Sequence, residues 1–225
     1  MMVPMMLPTP AREIVQDHLD CFWEDADRKD ARLLCLSGDA FYDHPVRPVA
    51  EIACRGEDGN CIALEDSLPL RTESITHVVM THLLESAPEP AAMMAEIHRV
   101  MEPEGKLLLI VANRAGLWAR RDDTLLGMGQ PYTIAQIDAL LRGAKLGITR
   151  IRPALMVPPM ASDIWFSRLS HVLEPVAPFL PFFCGLHVVE AVKKVHALPP
   201  GTKSPVTEKA GWVKPAVNGG GVQPT

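Results

Sequence analysis

Few residues in this sequence have the type and placement for chemistry. His82 closes residues 75–82, a run rich in β-branched side chains, and Leu83-Leu84-Glu85 follows it. Imidazole titrates near neutrality, so a histidine at a strand end suits proton transfer or the orientation of a polar ligand group. The plainer alternative is a histidine that hydrogen-bonds the next turn. Ser37-Gly38-Asp39 ends the apolar run at residues 31–36. A glycine there lets a backbone approach a ligand without a Cβ in the way, and serves equally as an ordinary turn residue. The acidic and polar run Glu65-Asp66-Ser67 precedes Leu68-Pro69-Leu70, and its carboxylates can accept hydrogen bonds from a ligand or only from water.

Other chemistries find little support. Cys21, Cys35, Cys54, Cys61 and Cys184 form no CxxC pair and no Cys/His spacing for a tetrahedral zinc site. No metal is expected, and the thiols read as reduced, mostly small core residues of a cytoplasmic protein. A formal net charge of -5 offers no basic footprint for nucleic acid. The local pair Arg120-Arg121 is cancelled by Asp122-Asp123. Residues 172–189 are apolar, but Glu174 and prolines 175, 178 and 181 interrupt them, so no transmembrane segment is expected. No GxGxxG follows any apolar run, which weakens a nicotinamide-dependent dehydrogenase.

The elements that would position these residues follow from periodicity. With 225 residues, 48% of them hydrophobic, one domain can close a substantial core. Ile14, Val15, His18, Leu19, Phe22 and Trp23 lie on one helical stripe within residues 11–23. Residues 31–36 are continuously apolar, as in a strand covered on both faces. Shorter runs at 49–54 and 60–64 predict two further strands, separated by Gly56-Glu57-Asp58-Gly59. A strand at 75–82, a helix at 91–101 and a strand at 106–112 form one crossover unit, and Met93, Met94, Ile97, Val100 and Met101 make the helix's core stripe. Thr133 caps a helix over 134–142, and strands follow at 148–157 and 186–195. The expected division is a helical segment at 1–28, the main domain at 29–198 and a disordered tail at 199–225, rich in Gly, Pro and polar residues. Some seven strands with interleaved helices predict an α/β, doubly wound, mostly parallel seven-stranded sheet with an antiparallel late strand.

The middle of the chain resembles a known family. Leu68-Pro69-Leu70 precedes the strand at 75–82, Leu83-Leu84-Glu85 follows it, and Arg99-Val100-Met101-Glu102-Pro103-Glu104-Gly105 leads into the next strand. This order is similar to the LPF, LEH and RVLKPGG motifs of the type 11 S-adenosylmethionine-dependent methyltransferases. The segment Asn113-Arg114-Ala115-Gly116-Leu117-Trp118-Ala119-Arg120-Arg121-Asp122 further resembles a bacterial subgroup with an NRxGLWARRD-type insertion. The matches span about residues 30–196, and the specific part is 68–132.

The resemblance implies a Rossmann-like methyltransferase fold, S-adenosylmethionine as cofactor, and a small-molecule or protein methyl acceptor. It places Ser37 and Gly38 at the methionine and ribose, Asp66 and Ser67 near the adenine amino group, and His82 beside the sulfonium and the acceptor, where it is the candidate catalytic group. The sequence departs from the family in three places. One glycine remains in the turn after the first strand, Cys54-Arg55-Gly56-Glu57 offers no carboxylate at the usual ribose position, and Glu104 replaces the first glycine of the PGG-like turn. Two functions therefore stand side by side. One is an active transferase. The other is a non-catalytic relative whose 172–189 surface or Trp118 loop binds a protein partner or a second copy as a homodimer.

Overall fold

Leu33–Ser37 (β1) is buried along its whole length, so both faces of the strand must be covered. The computed structural model describes residues 9–24, 30–37, 42–53, 68–120, 125–127, 129–157, 169, 173 and 183–194. Alternation along the strands sends side chains into two separate cores. Leu33 and Cys35 face one core with Leu108, Ile110 and Ala112, whereas Leu34 and Leu36 face the other with Leu107, Leu109 and Val111.

The strands are β1, Ala50–Ala53 (β2), Ile75–Thr81 (β3), Met101–Ala112 (β4), Leu146–Ala154 (β5) and Leu186–Lys193 (β6). They form one sheet in the order β2-β1-β3-β4-β6-β5. β2, β1, β3 and β4 run parallel, and β6 is antiparallel to both β4 and β5. The fold is thus the expected α/β doubly wound type with an antiparallel late strand. Six strands are described rather than seven; the expected strand at 60–64 lies outside the described residues, as does the tail from 199.

The helices close the two faces. Thr9–Glu24 (α1) buries Val15, Leu19, Phe22 and Trp23 on the β1 Leu33/Cys35 face. Pro90–Val100 (α2) starts with proline at its first position, which needs no amide partner there, and its methionine stripe is core as expected. Ile134–Gly143 (α3) carries a full capping box, in which Thr133 accepts from the Gln136 amide and the Gln136 side chain accepts from the Thr133 amide. α2 carries the chain from β3 to β4 and α3 from β4 to β5, so both helices begin at the sheet's carboxyl edge.

The passage from β1 to β2 is different. Residues 42–49 contain no helix. Instead, Tyr42 and Val46 pack into the α1 face and the Val49 amide donates to the Leu33 carbonyl at 2.7 Å. α1, which precedes β1 in the chain, covers the surface that a crossover helix would otherwise cover.

β4 begins at Met101, five residues before the expected start, because the PGG-like turn is built into it. The register with β3 steps from Ile75↔Met101 to His77↔Lys106, leaving residues 102–105 bulged opposite Thr76. Glu104 keeps a left-handed backbone, φ 61°, where the family motif has glycine. A Cβ on Gly105 would lie 2.8 Å from the Glu102 carbonyl oxygen, so only the second glycine is sterically required.

Candidate functional site

Chain order reverses between β1 and β3, and open α/β sheets bind ligands at the carboxyl ends of the strands flanking such a switch. Ser37 ends β1 and Thr81 ends β3, directly opposite in register. Both are buried, and the Thr81 hydroxyl donates to Ser37 Oγ at 2.9 Å. This bond ties the two strand tips together at the carboxyl edge of the sheet. Gly38, expected with Ser37 at the methionine and ribose, and Asp66 and Ser67, expected near the adenine, lie outside the described residues, as do Glu57 and Asp58.

His82 follows Thr81 with φ 51°, a left-handed backbone uncommon for a non-glycine residue and worth attention at a ligand edge. Its amide donates to the Ile110 carbonyl at 3.0 Å, which fixes the residue to β4. A single 3-10 turn at Leu84–Ser86 then brings Glu85 back beside it. His82 Nδ1 lies 3.8 Å from Glu85 Oε1, and both side chains are buried.

Glu85 is the residue that sequence reasoning passed over. It is 7% exposed, and its Oε1 accepts the Ala112 amide at 2.6 Å, joining the end of β3 to the last residue of β4. Its Oε2 is buried with no hydrogen-bond partner among the described residues. The segment entering α3 closes over it: the Gln130 amide donates to the Glu85 carbonyl at 2.8 Å. A Cβ on Gly129, φ 84°, would stand 2.4 Å from that carbonyl oxygen. The Tyr132 hydroxyl donates to the Leu84 carbonyl at 3.4 Å. Burial, and then the charge of Glu85, raise the Tyr132 phenol pKa, so this tyrosine stays neutral. A glutamate in an otherwise apolar turn, three residues after a strand-end histidine, was the available signal.

The NRxGLW-like stretch forms the wall beside this cluster and is held by its own polar groups. Asn113 Oδ1 accepts the Ala115 amide at 3.0 Å and Nδ2 donates to the Cys184 carbonyl at 2.8 Å. A Cβ on Gly116 would collide with that same carbonyl oxygen at 2.4 Å. Trp118 is buried, and its Nε1 donates to the Val157 carbonyl at 2.6 Å. The Trp118 ring is therefore an anchor for the loop rather than an exposed docking side chain. Between this stretch and α3 lies a cleft of about 370 Å³ lined by Arg114, Gln130, Tyr132 and Gln136 among others.

The Leu68-Pro69-Leu70 motif also has a physical cause. Glu96 Oε1 accepts the Leu68 amide at 2.7 Å. Arg99 Nη2 donates to the carbonyls of Leu68 at 3.1 Å and Leu70 at 3.0 Å. Glu96 and Arg99 pair one helical turn apart at 2.6 Å, and this hydrogen bond lowers the Glu96 pKa below the usual carboxylate range. The clamp fixes the chain immediately after Asp66 and Ser67.

Two further groups near the carboxyl edge are kept neutral. His187, second in β6 and opposite Val111, is 3% exposed, and burial pushes its imidazole down to about 4. Burial and then Glu51 push the Cys35 thiol up to about 12, which removes it as a nucleophile. Among the described residues no cluster of three His, Cys, Asp or Glu could hold a metal, and no helix is long and apolar enough to cross a membrane.

Residues 47–109 match a family model described as a methyltransferase domain. Among solved structures, the chain is similar to one from the Haloferax volcanii complex between the Trm112 methyltransferase activator and a methyltransferase. That match has 16% identity, covers 83% of this chain and 95% of the other, and has a TM-score of 0.51. An S-adenosylmethionine-dependent methyltransferase from Aquifex aeolicus matches at 14% identity over 83% of this chain and 94% of its own, with a TM-score of 0.48. One from Mesorhizobium loti matches at 12% identity over 77% and 96%, with a TM-score of 0.48. No curated protein matches the chain.

Proposed function

We propose that this chain is an S-adenosylmethionine-dependent methyltransferase whose cofactor lies across the carboxyl ends of β1 and β3, with the methyl acceptor toward β4. The observation that carries the reading is the Ser37–Thr81 tie at the topological switch, in a chain whose residues 47–109 match a methyltransferase-domain model. Ser37 and Gly38 would meet the methionine and ribose, Asp66 and Ser67 the adenine, and His82 the sulfonium side. The residues fit such a group in two respects: Ser37 ends β1 with a hydroxyl at the topological switch, and the Glu96/Arg99 clamp holds the strand-entry turn that follows Asp66 and Ser67. When bound, the cofactor supplies an activated methyl group. The protein's own task is alignment and water exclusion, which need no nucleophilic side chain.

The helix-free connection at residues 42–49 favours a second reading. A helix beginning after β1 would aim its amino-terminal amides at an anionic ligand group, and that crossover is made here without one in residues 42–49. A methyltransferase-like protein acting through a protein partner or self-association fits this feature. Calorimetry with S-adenosylmethionine and S-adenosylhomocysteine separates the two. Binding with micromolar to submillimolar affinity supports the transferase; no heat and no thermal shift at millimolar ligand refute it and leave the binding role.

A further inference from the structure

Resting on the methyl-transfer reading above, we infer that the cleft between residues 113–120 and α3 holds the carboxylate of a small-molecule methyl acceptor, with Arg114 as its anchor. The cleft encloses about 370 Å³, near the lower end of the ~300–1,000 Å³ usual for small-molecule sites. Its charged lining residue is Arg114, and none of the lining residues is acidic. Among the described residues the Arg114 guanidinium has no hydrogen-bond or ion-pair partner. Gln136 commits its Oε1 to the Thr133 amide at 2.9 Å and the Thr133 hydroxyl at 3.0 Å, which leaves its Nε2 to donate. The Gln130 side chain is likewise uncommitted among the described residues. Tyr132 is neutral, and its hydroxyl stands a long 3.4 Å from the Leu84 carbonyl. A guanidinium and two carboxamides with spare donors, around a space without a carboxylate, complement a ligand group that only accepts hydrogen bonds and is negatively charged.

Backbone bonds fix these walls at the carboxyl edge of the sheet. The Arg114 amide donates to the Tyr132 carbonyl and the Tyr132 amide to the Ala112 carbonyl, each at 3.1 Å, so the cleft begins where β4 ends. Opposite, the Gln130 amide is bonded to the Glu85 carbonyl, and Gly129 leaves no room there for a Cβ. The site is preformed and needs little reorganisation on binding. Glu85 lies buried beneath it, accepts the Ala112 amide and does not line the cleft. A carboxylate fits better than a phosphate, because its two coplanar oxygens match the guanidinium fork and one cation meets one negative charge. Paired with a guanidinium, the carboxylate is a weak nucleophile and serves as a handle. The methyl leaves sulfur, which keeps the bonding electron pair, for another nucleophilic oxygen or nitrogen of the acceptor, whose proton passes to water.

The test follows the Arg114 Nε signal and the Gln130 and Gln136 side-chain amides of the full chain by NMR as benzoate, benzamide or inorganic phosphate is added, with and without S-adenosylhomocysteine. Benzoate should shift these signals saturably at millimolar concentration. Benzamide should bind at least about tenfold more weakly, and Arg114→Gln should weaken benzoate by a similar factor. The Arg114 side chain is exposed, so its replacement should leave thermal unfolding unchanged. If that variant does not fold, Gln130→Ala decides: a loss of about threefold in benzoate affinity supports the site, and no loss overturns it. Benzoate that fails to bind, or that binds Arg114→Gln equally well, overturns the inference, as does phosphate binding more tightly than benzoate. With S-adenosylhomocysteine bound, benzoate should bind at least as tightly as without it; mutual exclusion overturns the acceptor assignment. If S-adenosylhomocysteine gives no calorimetric heat while benzoate binding depends on Arg114, the transferase reading fails and the carboxylate site alone survives.

Discussion

Acidification offers a direct test of how the sheet tolerates its buried histidine. His187 lies within β6, where alternation with Leu186 and Val188 turns it toward the α2 and α3 face. It is 3% exposed, and its Nδ1 has no partner among the described residues. Burial lowers its pKa from 6.5 to about 4. The folded value is below the unfolded one, so the unfolded chain binds this proton first. The contribution of neutral His187 to stability is complete above about pH 6.5, declines as pH falls, and is fully lost below about pH 4. The span between the two values corresponds to about 3 kcal/mol. The assay is urea unfolding of the native protein and of His187→Leu across this range. His18, His44 and His98 also have lowered pKa values, but they are common to both proteins and cancel in the difference. The stability of the native protein relative to the leucine variant should fall by about 3 kcal/mol between about pH 7 and pH 4. Two curves that stay parallel over that interval refute the argument that His187 is held neutral by burial.

Arg99→Ala removes the donor to the Leu68 and Leu70 carbonyls, and urea unfolding should show a loss of about 1–2 kcal/mol; no change would mean those carbonyls are satisfied otherwise. Gly129→Ala places a methyl against the Glu85 carbonyl at a positive φ, and should cost more than about 2 kcal/mol by the same measurement. Glu104→Gly relieves a left-handed glutamate worth about 1–2 kcal/mol and loses part of that to added chain entropy, so a net gain of about 0.5–1 kcal/mol is expected in thermal unfolding. Trp118→Phe keeps most of the ring volume but abandons the Val157 carbonyl, for a loss of about 1–3 kcal/mol.

What could be read from the sequence was whatever depends on local pattern. The continuous apolar runs of β1 and β4, the methionine stripe of α2 and the Thr133 cap gave their elements within a few residues, because periodicity and capping are short-range properties. The start of β4 differs from the expected one since Gly105 reads as the turn into the strand, and only pairing with β3 shows that residues 102–105 form a bulge inside it. The site was less legible. Ser37 was recognisable as a strand-end hydroxyl, but its partner Thr81 lies 44 residues away, a separation that no pattern carries. Glu85 carries no local mark of burial, which depends on Gly129 and Gln130 arriving after β4. Glu96 and Arg99 had the spacing of an exposed helical pair, yet their second task, gripping residues 68–70, belongs to tertiary structure.

The placement of β6 has a bearing on how this sheet is assembled as the chain emerges from the ribosome. Among the described residues β5 joins the sheet by pairing with β6 alone, and β6 is made last of the six. Until residues 186–193 are synthesised, β4 presents a long apolar edge and β5 has no neighbour to pair with. The parallel half, β2-β1-β3-β4, can form vectorially in the order of translation, whereas the far half must wait and then close in one step by strand insertion. That interval leaves an unpaired, aggregation-prone edge on the nascent protein. Chaperone dependence and sensitivity to premature termination should therefore concentrate between the completion of β5 and the arrival of β6.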